Sequence, residues 1–369
     1  MKLTIAKDQL TLGLQSVQNI VGSRTTLPIL SNVLLRAADN QLELTATDLD
    51  VTITCVVEAQ VVKAGATTVP VKKLFSIVRE LGVPEADLEV DDKHSCAIRA
   101  GASFFRVNGL PAEDFPPMPN LADRKKVTLP QDKLRGMLRR TAFAVSTDET
   151  RYVLNGIFMS FKDHKATMVA TDGRRLALTD EEVDVAAECQ GEFIMPSKAI
   201  NELTRLLQDK GEAEISFSEN QAAIRLRGEN VPPVTIVTKL VDGSYPNYRQ
   251  VIPAESRERI GLMREEFLQA LRRAEIMTSD KTNSVKLAFG KNTLAITANT
   301  PEVGEARETL AINFKGREIA VAFNPTYLLD ALKALDVDEV FFELTDELSP
   351  GVLKINGPFL YVIMPMRMN

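Results

Sequence analysis

Two short stretches hold the residues best placed for chemistry: LTATDLDVTIT (44–54) and MVATDGRRLALT (168–179). Each closes a strand-like run on a Thr-Asp pair, Thr47–Asp48 and Thr171–Asp172. The second continues through Gly173, Arg174 and Arg175. A carboxylate on a glycine turn beside two guanidinium groups has the make-up of a small catalytic or phosphate-binding loop. Such chemistry needs a base, a nucleophile or a metal set nearby. His94 and His164 are the two histidines, both in polar surroundings, so a histidine metal site or a Ser-His-Asp triad is short of parts. Cys55, Cys96 and Cys189 lie far apart without CxxC spacing and read as reduced thiols of a cytosolic protein. The sequence leads to no catalytic residue, no metal and no cofactor. The competing reading gives Asp48 and Asp172 a structural task, accepting backbone N–H groups of their own turn.

Repetition favours the structural task. A degraded third copy, ITANTPEVGEA (296–306), puts Thr300 in register with Asp48 and Asp172, at offsets of 124 and then 128 residues. A chain seldom needs a catalytic loop three times, whereas a repeated fold needs its turn in every copy. Two helix sets keep similar spacing. VPVKKLFSIVREL (from 69), MPSKAINELTRLL (from 195) and FNPTYLLDALKAL (from 323) each put a proline where a helix begins, at Pro70, Pro196 and Pro325. DQLTLGLQSV, DKLRGMLRRT and EEFLQALRRA carry Leu10/Leu14/Val17, Leu134/Leu138 and Phe267/Leu271/Ala274 at helical spacing.

Between the helices the chain reads as strands. Leu49, Val51, Ile53 and Cys55 alternate with Asp50, Thr52 and Thr54, the pattern of a half-buried antiparallel strand. LAFGKNTLAIT (287–297) reads as a hairpin turning at Gly290–Asn292, and ISFSENQAAIRL (215–226) as one turning at Ser218–Gln221. The expected class is α+β: three repeated domains of antiparallel sheet with two helices on one face. LPAEDFPPMPN (110–120) and LVDGSYPNY (240–248) punctuate the copies and place the domains at 1–122, 123–252 and 253–369.

At 369 residues, each of three domains can bury a core without disulfide or metal. There is no basic-then-apolar start and no long uncharged apolar run, so neither a signal peptide nor a membrane span is expected. A net charge of −6 favours solubility and by itself gives no hint of a nucleic-acid partner. Its distribution says more. Over the six expected helices (6–20, 70–80, 131–145, 196–210, 263–275 and 325–335) the charge is +6, which leaves −12 on everything else. With helices on one surface and sheets on the other, a basic face attracts a duplex and an acidic back discourages adhesion elsewhere. On charge alone, the plain alternative of cations that merely solvate exposed helices stays open.

Six motifs are more specific: RTTLPILSNVLL (24–35), GATTVPVKKLFSIVREL (65–81), RYVLNGIFM (151–159), VATDGRRLA (169–177), KLVDGSYPNYRQVIP (239–253) and the terminal YVIMPMRMN. In type and order they resemble the bacterial DNA polymerase III β-subunit family, the sliding clamps. The resemblance runs from Met1 to Asn369 and covers all three copies. It implies a DNA polymerase processivity factor without bond chemistry: a head-to-tail homodimeric ring, cytoplasmic, with helices lining the hole and sheets forming the rim. Such a ring encloses double-stranded DNA and slides without base readout. Six helices about 10 Å wide give one chain roughly 60 Å of inner circumference and a hole of about 9 Å. Two chains give roughly 120 Å and about 28 Å, room for a duplex and water. The implied partners are the replicative polymerase α subunit, the clamp loader, and other polymerases and repair proteins carrying clamp-binding peptides, held at raised effective concentration.

Carried over by position, the resemblance implies DNA contacts at Arg24, Lys72, Arg79, Arg135, Arg139, Tyr152, Lys198 and Arg205. Asp148, in STDET, departs from the pattern, because an uncharged polar side chain would suit DNA better there. The tail Tyr361–Met366 reads either as a final strand or, with two methionines flanking Pro365, as an adaptable surface. The resemblance implies the second: an apolar peptide groove of Leu154, Thr171, Gly173, Arg175, Leu176, Pro246, Val251, Leu348, Val362, Met364, Pro365 and Met366. Arg174 stands where many relatives carry histidine, at the edge of that groove. For the dimer joint it implies Phe105, Ile276 and Met277 as apolar contacts, with Lys73 near Glu302, Glu305 and Glu308. Phe105 also fits an ordinary core position.

Overall fold

The computed structural model describes residues 1–22, 27–118, 125–229, 231–279 and 283–367. Arg24 and the expected border at 122/123 lie outside them. The first copy runs β1 (Lys2–Ala6), α1 (Lys7–Val17), β2 (Asn32–Ala38), β3 (Gln41–Thr47), β4 (Val51–Glu58), β5 (Gln60–Lys63), β6 (Gly65–Pro70), α2 (Val71–Glu80), β7 (Glu85–Val90), β8 (Ser95–Ala100) and β9 (Ser103–Asn108). The second runs β10 (Lys125–Pro130), α3 (Gln131–Thr141), β11 (Gly156–Lys162), β12 (Lys165–Thr171), β13 (Arg175–Glu182), β14 (Gly191–Pro196), α4 (Ser197–Leu206), β15 (Glu212–Phe217), β16 (Gln221–Gly228) and β17 (Val231–Lys239). The third runs β18 (Glu258–Met263), α5 (Arg264–Glu275), β19 (Val285–Gly290), β20 (Thr293–Thr300), β21 (Gly304–Ala311), β22 (Ile319–Phe323), α6 (Pro325–Ala334), β23 (Glu339–Leu344), β24 (Gly351–Lys354) and β25 (Phe359–Ile363).

All six expected helices form, each inside its sequence window. In α2, Val71, Leu74 and Val78 are buried on one face while Lys72, Lys73, Ser76 and Arg79 are exposed, which follows from the 3.6-residue period. The prolines sit where expected. Pro70 and Pro196 end strands directly before α2 and α4, and Pro325 opens α6 behind Asn324, whose side chain accepts the Thr326 N–H at 3.0 Å. Both hairpins form, β19–β20 and β15–β16.

The chain divides into two compact units that do not follow the sequence copies. One holds Met1–Arg135, Val183–Gly191 and Lys198–Val241; the other holds Gly136–Glu182, Glu192–Ser197 and Asp242–Asn369. In the first unit an eight-stranded sheet runs β10-β15-β16-β17-β4-β3-β2-β6, and a five-stranded sheet runs β5-β1-β7-β8-β9. Helix α1 packs on β3 and β4 and against α2. In the second unit an eight-stranded sheet runs β14-β11-β12-β13-β25-β24-β23-β18, and a four-stranded sheet runs β21-β20-β19-β22. Helix α5 packs on β20 and β21 and against α6. Each long sheet joins two copies. The joint is β17 on β4 in one, with Ile236 opposite Ile53, and β13 on β25 in the other, with Ala177 opposite Tyr361. All four of these residues are fully buried.

One sequence expectation fails locally. Leu49 does not begin the buried alternation; it is 47% exposed, at φ +80°, and β4 starts at Val51. The Asp48 turn forces this. Its carboxylate accepts the N–H groups of Asp50 (3.1 Å) and Val51 (2.8 Å), and that geometry puts the residue between in the left-handed region. The equivalent residue in the second copy is Gly173, at φ +84°, which bears the conformation without a Cβ penalty.

Candidate functional site

The second Thr-Asp loop is built like the first. Asp172 Oδ1 accepts the N–H groups of Arg174 (2.9 Å) and Arg175 (3.0 Å), and Thr171 Oγ1 accepts from Gly173 N–H (3.1 Å). Both aspartates therefore cap their own turns. Asp172 also binds with its other oxygen. Oδ2 accepts from Arg175 Nε at 3.0 Å, Arg175 Nη1 donates to Asp330 on α6 at 2.7 Å, and Nη2 donates to the Phe143 carbonyl at 2.6 Å. Tyr327 lies under the guanidinium, 4.4 Å from ring centre to Cζ. The Arg175 side chain is only 10% exposed. Burial works against its charge, but the Asp330 hydrogen bond together with the electrostatic pull of Tyr361, Asp172 and Asp330 outweighs it and raises its pKa. Arg175 thus ties the loop to α6.

Beside this node lies an apolar floor. Leu176 on β13 is directly opposite Val362 on β25, and both bury with Val169. Phe158, Leu178, Tyr245, Tyr248, Ile252 and Leu360 pack around them. Tyr245 stacks on Phe158 at 5.2 Å, and burial pushes its phenol pKa up. The aromatics anchor the segment that carries Pro246 and Val251, which are exposed. The tail is pinned at two points: Met364 N–H donates to the Arg174 carbonyl (3.0 Å) and Met366 N–H to the Ala322 carbonyl (2.7 Å). Met364 (44%) and Met366 (39%) remain exposed, and Leu154 is buried. Leu348, 85% exposed, lines a cleft of about 450 Å³ with Arg257, Glu258, Arg317 and Ile319.

The basic helix residues divide into two groups. Lys72 and Arg139 are exposed, as is Tyr152 at 59%. Four others pair with carboxylates of the chain: Arg79 with Glu80 (3.0 Å), Arg205 with Glu202 (2.6 Å), Arg135 with Asp209, and Lys198 with Asp48. Arg205 also donates to the carbonyls of Gln15 (3.1 Å) and Ser16 (2.8 Å), closing the C-terminal end of α1. Asp148 caps the turn Glu149–Leu154, accepting from the Thr150 hydroxyl (2.7 Å) and N–H (3.0 Å), and these bonds hold its carboxyl below the usual range. That task accounts for a carboxylate at this position.

At β9 an edge strand is exposed on both faces from Ser103 to Arg106. Phe105 pairs with Ile98, as Ile236 pairs with Ile224 and Tyr361 with Leu353. Ile236 and Tyr361 are fully buried, whereas Phe105 is 38% exposed, so it is no ordinary core residue of this chain. The Arg99 and Arg106 guanidinium groups lie over Phe104, at 5.6 and 5.7 Å. The other small sheet ends in β21, which carries Glu305 and Glu308, near the exposed Ile276 (73%) and Val303 (46%). Glu308 is held by Arg273 at 2.6 Å, Met277 is half-buried, and Lys73 and Glu302 are exposed.

Two of the three thiols are buried. Burial pushes the Cys55 and Cys96 thiols up to about 11, away from thiolate chemistry. Among the described residues, no group of three His, Cys, Asp or Glu could hold a metal ion. No helix among them is long and apolar enough to cross a membrane. Sequence reasoning missed Asp330 and Tyr327, which hold Arg175, and Phe158 and Tyr245 in the floor. A lone acid in the apolar run PTYLLDALKAL was the available signal for Asp330.

Three family models match the chain in order: the DNA polymerase III beta subunit N-terminal domain over residues 1–119, the central domain over 128–247 and the C-terminal domain over 249–367. A beta sliding clamp of Chlamydia pneumoniae is 36% identical, with all of both chains covered. The crystal structure of the DNA polymerase III subunit beta from Pseudomonas aeruginosa superposes with a TM-score of 0.94 at 34% identity, all of both chains covered. That of a sliding clamp from Bartonella birtlesii, solved bound to griselimycin, gives 0.93 at 36%, again over all of both chains.

Proposed function

The chain belongs to the DNA polymerase III β-subunit family, the bacterial sliding clamps, and on that premise we propose that two copies close head to tail around duplex DNA. The ring slides without base readout and tethers the replicative polymerase, the clamp loader and other peptide-bearing partners. It acts in the cytoplasm as three domains, 1–122, 123–252 and 253–369, and catalyses no reaction. Lys72, Arg79, Arg135, Arg139, Tyr152 and Lys198 face the duplex; Arg205 serves mainly to bracket α1. The groove over Leu176 and Val362 receives the partner peptides, flanked by Met364 and Met366, with Arg175 holding its wall.

One observation carries the reading. Within the chain, copies join by the same rule: β4 pairs with β17 of the next copy, and β13 with β25 of the next. The equivalent strands left over are β21 of the third copy and β9 of the first, and both are sheet edges. An exposed edge with aromatic residues is a template for pairing. Ala46, Ala170 and Ala298 oppose Ile53, Ala177 and Ala306, which sets the equivalence of β4, β13 and β21. Transferred to a second copy, the rule puts Ala306 opposite the partner's Phe105 and Glu305 opposite the partner's Arg106. That register buries Phe105 and pairs opposite charges.

Sedimentation is expected to give twice the 40.7 kDa chain mass. In a Cys189→Ser background, Arg106→Cys with Glu305→Cys should oxidise to a covalently closed dimer. Oxidised after it has been loaded, that dimer should stay on circular DNA and slip from the same DNA once cut. A monomer at micromolar concentration, or equal retention on cut and uncut DNA, refutes the proposal.

A further inference from the structure

We infer that Asp48 and Asp209 are built-in competitors of DNA: they occupy two of the duplex-facing cations and thereby keep the grip on phosphate weak. The inference rests on the DNA-facing reading of Lys198 and Arg135 above. Sliding demands contacts that break as readily as they form, and a cation with an internal anion loses less when a phosphate departs. Lys198 is on the first turn of α4, 55% exposed, with its ammonium on Asp48 Oδ2. Arg135 on α3 is 38% exposed, with Nη2 on Asp209 Oδ1. Both cations are solvent-accessible, so a phosphate and the resident carboxylate compete for the same donors. The Asp48 arrangement is divided by atom: Oδ1 holds the turn through Asp50 and Val51, and Oδ2 faces Lys198. The acid at this position serves the turn and the cation together, whereas an asparagine would serve the turn alone.

The two pairs differ in a useful way. Asp209 is 84% exposed and caps nothing in the described structure, so its replacement leaves the fold untouched. Exposed pairs of this kind shift an equilibrium by up to about fivefold. Neutralising either acid therefore raises duplex affinity about two- to fivefold. It also steepens the salt dependence by up to about 0.9 per freed cation, because one more counterion is displaced from the DNA.

The test titrates the full chain against a fluorescein-labelled duplex of about 30 base pairs, three helical turns, across a salt series. The variants are Asp48→Asn, Asp209→Asn, the double, and Asp132→Asn. Asp132 is an exposed acid on the first turn of α3 and reports the effect of net charge alone. Lys198→Gln and Arg135→Gln run alongside. The expected result is tighter binding and a steeper salt slope for Asp48→Asn and Asp209→Asn than for Asp132→Asn, with weaker binding for the lysine and arginine variants. If the cation variants weaken binding and neither acid variant exceeds Asp132→Asn, the competitor idea is overturned while the DNA face stands. If the cation variants bind as the parent does, the DNA face itself is overturned at these positions.

Discussion

Replacing Arg175 by methionine keeps an unbranched apolar stem and removes the guanidinium with its charge and donors. Three acceptors then lose their partner: Asp172 Oδ2, Asp330 Oδ2 and the Phe143 carbonyl. Breaking a fully buried pair costs about 3–5 kcal/mol. Here Asp172 is 17% and Asp330 28% exposed, so both regain some hydration. A discounted cost is about 2–4 kcal/mol. The chain holds two compact units, so a single unfolding free energy is not well defined. Hydrogen exchange at the Arg174 amide, at residue 175 and along α6 reports the local opening instead. At about 1.4 kcal/mol per decade, exchange there should accelerate roughly 30- to 700-fold. Amides in β1 and β7 of the other unit serve as the control. Arg175→Lys should fall between, since one ammonium cannot satisfy two carboxylates and a carbonyl in a planar fork. Exchange in Arg175→Met within about threefold of the parent, well under the 2 kcal/mol floor, would refute the idea that this residue holds the groove wall to α6.

Two further outcomes are expected. Met364→Ala, at a half-exposed position with no core role, should weaken binding of a partner peptide about tenfold, or about 1.4 kcal/mol, with unfolding unchanged; fluorescence anisotropy measures this. Glu343 bears on pH. Burial opposes its charge, but hydrogen bonds from Lys354 (2.7 Å) and Ser256 (2.9 Å) hold its carboxyl below its ordinary 4.5. A depressed carboxylate stabilises the fold at neutral pH and loses that contribution as pH falls below 4.5 and through the lowered value. Glu343→Gln should therefore weaken local protection along β23 by about 1–2 kcal/mol at pH 7 and converge with the parent in acid, as followed by hydrogen-exchange protection factors at each pH.

What could be read from the sequence was local. The apolar spacing of Val71, Leu74 and Val78 fixes α2, the prolines mark helix starts, and a Thr-Asp pair before a positive-φ residue specifies its own turn. Distant partners were illegible. Asp330 is 155 residues from Arg175, and Lys198 is 150 from Asp48, so no periodicity links them. The strand joints were hidden for the same reason: nothing in β17 announces that Ile236 will lie opposite Ile53. The groove depends on such a joint. Its floor pair, Leu176–Val362, occupies the place that Thr52–Val237 takes in the first joint and Glu305–Arg106 would take between copies, so its apolar character arises only where two distant segments meet. Leu49 shows the opposite failure. Its apolar character suggested burial, but the turn dictated its position.

The division of the chain through its middle copy has a consequence for how such a protein could arise. One copy alone carries both halves of the joint, a β4-type edge and a β9-type edge, and would have to find other molecules to cover them. Stringing copies on a single polypeptide makes two of those encounters intramolecular. The gain in closure comes from connectivity, with no change in the surfaces that meet.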